Sequence, residues 1–168
     1  RINAIHINAD YVRSTINSDL GFSIEDRVEN ARRLGAIAKM LSEQGQVVVV
    51  GGSKGLGRVV VGRYRSLGYV VTNISRQKPL DDLSTYHVSA DLEAMSSSEN
   101  VVNEVVRLGG EVRYLIFSQR YRGKGDPWHG EIQVSLTATK LLIDGFAKHF
   151  CKDGDRAIGV VSSVYAEL

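Results

Sequence analysis

A chain of 168 residues has room for one substantial core and excludes two full enzyme domains. Its net charge of +2 is too small to make nucleic acid or an anionic membrane the expected partner. One cysteine, Cys151, excludes an internal disulfide and any cysteine cluster for metal, which points to a reducing, cytoplasmic setting. No apolar run approaches a membrane span, and the first residues lack the apolar core of a signal peptide.

In chain order, Ile2 to Ile7 reads as a short strand. From Ser23 a helical pattern begins, with Val28, Ala31, Leu34, Ala38 and Leu41 on one stripe. Ser23 is its expected N-cap, Glu25 and Asp26 suit the positive first turn, and Gly45 is the expected stop. Gln46-Val-Val-Val-Val50 is a β-branched run without alternation, the signature of a strand covered on both faces. A glycine-rich turn follows, then a helix ending near Gly68.

Tyr69 to Ile74 and Tyr86 to Ala90 are the next expected strands. Val101, Val105 and Leu108 mark a helix stopped by Gly109-Gly110, and Tyr114 to Phe117 a fourth strand. Ile132, Leu136, Thr139, Ile143, Phe146 and Phe150 form a long helical stripe, and Ala157 to Val161 a last strand. Strand and helix in alternation with short connections predict an α/β fold, a doubly wound parallel sheet of Rossmann type. The expected strand order is 3-2-1-4-5, with the N-terminal strand and helix as an extra segment.

Gly51-Gly-Ser53-Lys54-Gly55-Leu56-Gly57 lies between the first buried strand and a helix. Glycines there let the backbone turn sharply and approach a diphosphate, and the helix N-terminus favours its charge. Glycines also make plain tight turns, but the strand-loop-helix context favours the phosphate-binding reading.

The spacing, glycine, three residues, glycine, one residue, glycine, resembles the short-chain dehydrogenase/reductase family, and the resemblance covers residues 46–168. It implies a nicotinamide dinucleotide in the loop and hydride transfer to or from a carbonyl or alcohol of a small-molecule substrate. Asn73-Ile-Ser-Arg76 falls where that family selects its cofactor. Arg76, with Lys54, would pair there with a 2′-phosphate, which implies NADP(H), with NAD(H) left open. The plain alternative for Arg76 is a solvated arginine on a surface turn. Asp91-Leu92 matches the adenine contact after the third strand. Ser163, in Val160-Val-Ser-Ser163-Val-Tyr-Ala, matches the catalytic serine that hydrogen-bonds the substrate oxygen.

The sequence departs from that family in three places. Phe117-Ser-Gln-Arg120 stands where Asn-Asn-Ala-Gly is expected, and Ser135 where the long helix has an asparagine. The tyrosine and lysine that move the proton are expected about a dozen residues past Ser163. Tyr165 stands too close to it to serve. Within these 168 residues, the expectation is weak cofactor binding and no useful turnover.

The first 45 residues are similar to another family. Asn8-Ala-Asp10-Tyr-Val-Arg13, Asp19-Leu-Gly-Phe22-Ser23, Asp26-Arg27 and Asn30-Ala-Arg32-Arg33 resemble adenylylsulfate kinase. The resemblance implies that Asp10 lies near the transferred phosphate and that Arg13, Arg27 and Asn30 surround the adenylylsulfate. Phe22 would stack on adenine. Phosphoryl transfer needs a P-loop, and Gly51 to Gly57 has no Gly-Lys-Ser/Thr ending to supply one. No kinase turnover is expected, and a solvated basic helix face is the favoured reading of these arginines.

The expected domains are therefore an adenylylsulfate kinase-like fragment, 1–45, and a dinucleotide-binding unit, 46–168. They join as a fusion or chimera at a valine-rich strand that either family would accept. His6, His87, His129 and His149 share no metal-ligand spacing, so no metal is expected. Arg113, Arg120, Arg122 and Lys124 around Tyr121 form a basic stretch suited to touching a phosphate, with a solvated loop as the favoured reading, and Trp128 reads as a packing residue. Self-association is left open.

Overall fold

The computed structural model describes residues 8–42 and 45–161. The chain divides into two compact units, residues 2–44 and the chain from Gly45 onward. The expected strand at Ile2 to Ile7 lies outside the described residues.

In the first unit, α1 (Ala9–Thr15) is capped by Asn8, whose side-chain oxygen accepts from the Tyr11 amide at 3.0 Å. The second helix, α2 (Ile24–Ser42), begins where Ser23 Oγ accepts from the Asp26 amide at 3.1 Å, as the sequence predicts. Its stripe does not form a core throughout, because Val28 and Ala31 are exposed. The link between the helices is polar instead. Asn17, fully buried, donates from Nδ2 to Asn30 Oδ1 at 2.8 Å.

The second unit contains β1 (Gln46–Val50), α3 (Gly55–Ser66), β2 (Val70–Ser75), β3 (Tyr86–Ser89), α4 (Glu99–Gly109), β4 (Val112–Phe117), α5 (Pro127–Glu131), α6 (Ala138–Phe146) and β5 (Ala157–Val160). All pairings are parallel and the strand order is β3-β2-β1-β4-β5, as expected. The valine run of β1 follows from its central place. Val48 and Val50 pack with Leu115, Phe117, Leu142 and Phe146 on one face, and Val47 and Val49 with Val61 and Val71 on the other. Successive strand side chains point to opposite faces, so a strand covered on both sides needs apolar residues at every position.

Gln46 breaks that rule and is fully buried. Its Nε2 donates to the carbonyls of Val105 (3.0 Å) and Gly110 (2.8 Å), and its Oε1 accepts from Thr72 Oγ1 at 2.6 Å. The amide thereby ties β1 to β2 and to the end of α4. Replacing it with an apolar isostere strands several buried polar groups at once. Gln46→Leu should therefore lower stability by roughly 2–4 kcal/mol, read as a shifted urea midpoint at constant slope.

The long helix departs from the predicted stripe. Between α5 and α6 lies a π-helical segment, Ile132–Thr137, and a 3₁₀ turn, Ala147–His149, closes the run. Bonding from i to i+5 makes the turn wider than in an α-helix, so an α-helical stripe drawn through it loses register. Thr139 and Phe146 of the predicted stripe are buried, together with Val134, Ala138 and Leu142, whereas Ile132 and Leu136 are exposed. Trp128, in α5, is 76% exposed and does not act as a packing residue. No helix among the described residues is long and apolar enough to cross a membrane.

Candidate functional site

At the C-terminal ends of the strands, β1 runs into Gly51, whose φ of +83° only glycine adopts without strain. Its amide still continues the sheet by donating to Ile74 O at 2.9 Å. A Cβ at Gly51 would lie 2.7 Å from the Gln119 amide nitrogen, so the loop after β4 also forbids a side chain there. The next amide, of Gly52, donates to Asn73 Oδ1 at 3.0 Å. Asn73 is fully buried in β2 and so fixes the loop's exit direction.

Helix α3 then opens at Gly55 with Lys54 as N-cap. Lys54 makes no side-chain cap and no acidic residue occupies the first turn. The first amides of the helix are thus left to an outside acceptor, and the dipole adds positive potential. Gly57, buried, faces back onto the loop, where a Cβ would overlap Ser118 Oγ and the Gly51 carbonyl oxygen. Close packing of helix on strand requires glycine here.

These elements enclose a cleft of about 640 Å³. Of the residues singled out from sequence, Gly51, Ser53, Lys54, Gly55, Leu56, Arg76, Asp91 and Leu92 line it. Gly57 lies behind it and packs the helix. Arg76 follows β2 directly, its carbonyl held by Ser89 Oγ at 2.9 Å; it lines the cleft, and its guanidinium has no side-chain partner among the described residues. Asp91 stands on the β3 side, with one carboxylate oxygen accepting from the Glu93 amide at 3.1 Å. Ser163 lies outside the described residues, so the arrangement around it is not part of this geometry.

Sequence reasoning missed much of the β4 side. Ser118 Oγ donates to Val50 O (3.1 Å) and Gly51 O (3.3 Å), and Gln119 Nε2 donates to Thr139 Oγ1 (2.7 Å) and Val134 O (3.3 Å). The altered Phe117-Ser-Gln-Arg120 segment therefore has its own set of bonds to the glycine loop and to the long helix. Ser135, at the position of the expected asparagine, donates to Glu131. Arg120, Tyr121 and Arg122, read from sequence as a solvated loop, line the cleft. Among the described residues no group of three or more metal-ligating side chains comes together.

The kinase-like residues lie in the first unit. Arg13 stacks its guanidinium 4.1 Å from the centre of the Phe22 ring and donates to the Gly21 carbonyl. Arg27 Nε donates to Phe22 O at 3.2 Å, and Asn30 accepts from Asn17. Arg13, Phe22 and Arg27 are thus gathered around the turn before α2. Asp10, in the first turn of α1, is exposed. One face of Phe22 is already covered by Arg13.

Beside this turn, Arg33 bridges Asp19 (2.8 Å) and Glu29 (2.8 Å), and Arg32 also binds Glu29. The Arg32 and Arg33 guanidiniums lower the Glu29 carboxyl from its ordinary 4.5 to about 2. A depressed carboxylate stabilises the fold above its unfolded pKa and loses that contribution as pH falls through the folded value. The helical circular dichroism of the chain should therefore decline between about pH 4.5 and pH 2, and Glu29→Gln should flatten part of that decline. The effect is small, because these pairs are solvent-exposed and screened.

Comparison with known proteins finds two different likenesses in the chain. The adenylylsulphate kinase family model matches residues 1–54, from the first unit through β1 and into the glycine loop. The adenylyl-sulfate kinase of Bacillus licheniformis is 54% identical over 43 residues, which is 26% of this chain and 22% of that protein. That of Acaryochloris marina is 51% identical over 43 residues, 26% and 21% of the two chains. The chain spans about a fifth of the length of these curated relatives.

Among solved structures, the ligand-free aldohexose dehydrogenase of Thermoplasma acidophilum superposes with a TM-score of 0.61 at 20% identity, over 73% of this chain and 51% of that one. A short-chain dehydrogenase family protein from Francisella tularensis gives 0.58 at 20% identity, over 71% and 51%. The chain spans about half the length of these structures. It joins a segment similar to adenylylsulfate kinases to a sheet with the fold of short-chain dehydrogenases.

Proposed function

We propose that the unit from Gly45 onward binds a nicotinamide dinucleotide, NADP(H) in preference to NAD(H), in the cleft over β1. The observation that carries this reading is the uncapped start of α3 beside Gly51 and Gly57, with Arg76, which has no side-chain partner among the described residues, one strand away. The free amides suit a diphosphate, and the guanidinium suits a 2′-phosphate through a forked pair of charge-assisted bonds. Asp91 and Leu92 would border the adenine.

The associated chemistry is hydride exchange between the cofactor and a carbonyl or alcohol of a small molecule, with Ser163 polarising the substrate oxygen. A proton donor at a workable pKa is also required. The dinucleotide would give the hydride to a carbonyl or take it from an alcohol, and the residues described would supply its binding and orientation. Isothermal titration of the chain with NADPH and with NADH tests the reading. Tighter binding of NADPH is expected, and equal or reversed affinities reject the cofactor assignment.

A second reading concerns the first unit, where the family match and the gathering of Arg13, Phe22 and Arg27 favour a retained adenylylsulfate-type anion site. Titration with adenylylsulfate distinguishes it from the first, since NADPH should not compete.

A further inference from the structure

We infer that Arg120 and Arg122 form a second anion subsite in the cleft, on the opposite side of the glycine loop from Arg76, for a phosphate-type group. The subsite stands independently of the dinucleotide reading, which bears only on one possible source of the anion.

Most arginines here engage their guanidiniums within the protein. Arg58 pairs with Asp81, Arg107 with Glu104 at 2.6 Å, and Arg156 donates to Cys151 O at 2.9 Å. Arg76, Arg120 and Arg122 have no such side-chain partner among the described residues, and all three line the same cleft. Lys54 and Lys78 line it as well, against the two carboxylates of Asp91 and Glu93, so the cleft wall carries a surplus of positive charge that a bound anion would offset.

The sheet order separates them into two groups. Arg76 follows β2 and Arg120 follows β4, with β1 and its glycine loop between. Adjacent strands lie about 4.7–4.9 Å apart, so β2 and β4, which lead into these residues, run about 10 Å from each other. One phosphate cannot take forked pairs from both sides at once without drawing the long side chains inward. The wall carboxylates, Asp91 and Glu93, belong to the β3 end, still farther from Arg120.

The backbone carrying Arg120 and Arg122 is held on both sides. Ser118 is bonded to the Val50 and Gly51 carbonyls and Gln119 to the long helix. The Tyr121 amide donates to Glu131 Oε2 at 2.9 Å, and its hydroxyl accepts from the Gly125 amide at 2.8 Å. The Tyr121 ring fills the space where a Cβ at Gly123 or Gly130 would sit. Two forked donors on an anchored loop, beside the uncapped start of α3, make a site for a doubly charged oxyanion.

The anion has two candidate sources, the diphosphate of the dinucleotide or a phosphorylated substrate. The test is calorimetric titration of the full chain with inorganic pyrophosphate, alone and with saturating NADPH. Replacing both Arg120 and Arg122 by alanine should weaken pyrophosphate about tenfold or more, whereas Arg76→Ala should change it by less than about twofold. Both changes are at side chains that line the open cleft, and circular dichroism confirms that the variants fold.

Pyrophosphate binding that persists with NADPH bound assigns the subsite to an anionic substrate. Competition with NADPH, with a parallel loss of NADH affinity in the double variant, assigns it to the diphosphate. Unchanged pyrophosphate affinity in the double variant overturns the inference, as does an equal loss in Arg76→Ala. Failure of NADPH to bind at all would reject the dinucleotide reading and leave the pyrophosphate arm to judge the subsite.

Discussion

Gly57→Ala should abolish measurable dinucleotide binding and destabilise the chain by roughly 1–3 kcal/mol, from a single added methyl group. The position has negative φ, so the cost is steric and not conformational. The new Cβ would overlap Ser118 Oγ and the Gly51 carbonyl oxygen. Neither can yield cheaply. Ser118 is bonded to Val50 O and Gly51 O, and Gly51 is itself tied to Ile74 O. The start of α3 must then move off the loop, and the amides that face the cleft move with it. Gly35→Ala is the control: Gly35 lies within α2, and nothing stands inside 4 Å of the place its methyl group would take. That change should be neutral or stabilise by about 0.5–1 kcal/mol through helix propensity. Thermal melts of both variants and an NADPH titration read the result. Wild-type affinity in Gly57→Ala would mean that the glycine loop does not form the binding surface.

The second large effect is expected at Arg76. Arg76→Glu should lower NADPH affinity by about tenfold to hundredfold, the size of a lost charge-assisted hydrogen bond to phosphate together with new repulsion. NADH affinity should change little or rise, because a carboxylate at this position can accept from the ribose hydroxyls. The backbone is not at risk, since the Arg76 carbonyl remains bonded to Ser89 and the side chain is exposed. Paired titrations give a ratio of affinities in which any general loss of stability cancels. Equal weakening of both cofactors would remove Arg76 from the role proposed for it.

What is legible in the sequence is local. The valine run of β1 declares its two covered faces, and Ser23 declares the start of α2, because each signal is contained in a few adjacent residues. The glycine loop and Arg76 can be singled out for the same reason. The bond from Asn73 to the Gly52 amide cannot, because it spans the whole of α3 and depends on the register of β1 with β2. Gln46 reads as a polar strand end until α4 and β2 are set around it. The predicted stripe of the long helix holds at Thr139 and Phe146 and loses Ile132 and Leu136 to solvent, because nothing in the local apolar spacing announces the π segment. Arg120 and Arg122 read as loop residues, and only the strand order brings them to the cleft.

Trp128 is the chain's single tryptophan and is 76% exposed. Its indole already meets water in the native state, so its emission should be red-shifted and should change little when the sheet unfolds. The core lies closer to three tyrosines, Tyr64, Tyr69 and Tyr114, whose ring centres are 5.5–6.0 Å apart. Tyrosine absorbance in the near ultraviolet is therefore the optical probe of sheet integrity in this chain. Tryptophan emission will report the helix that follows the Arg120–Arg122 loop, and makes an independent channel for following ligand entry there.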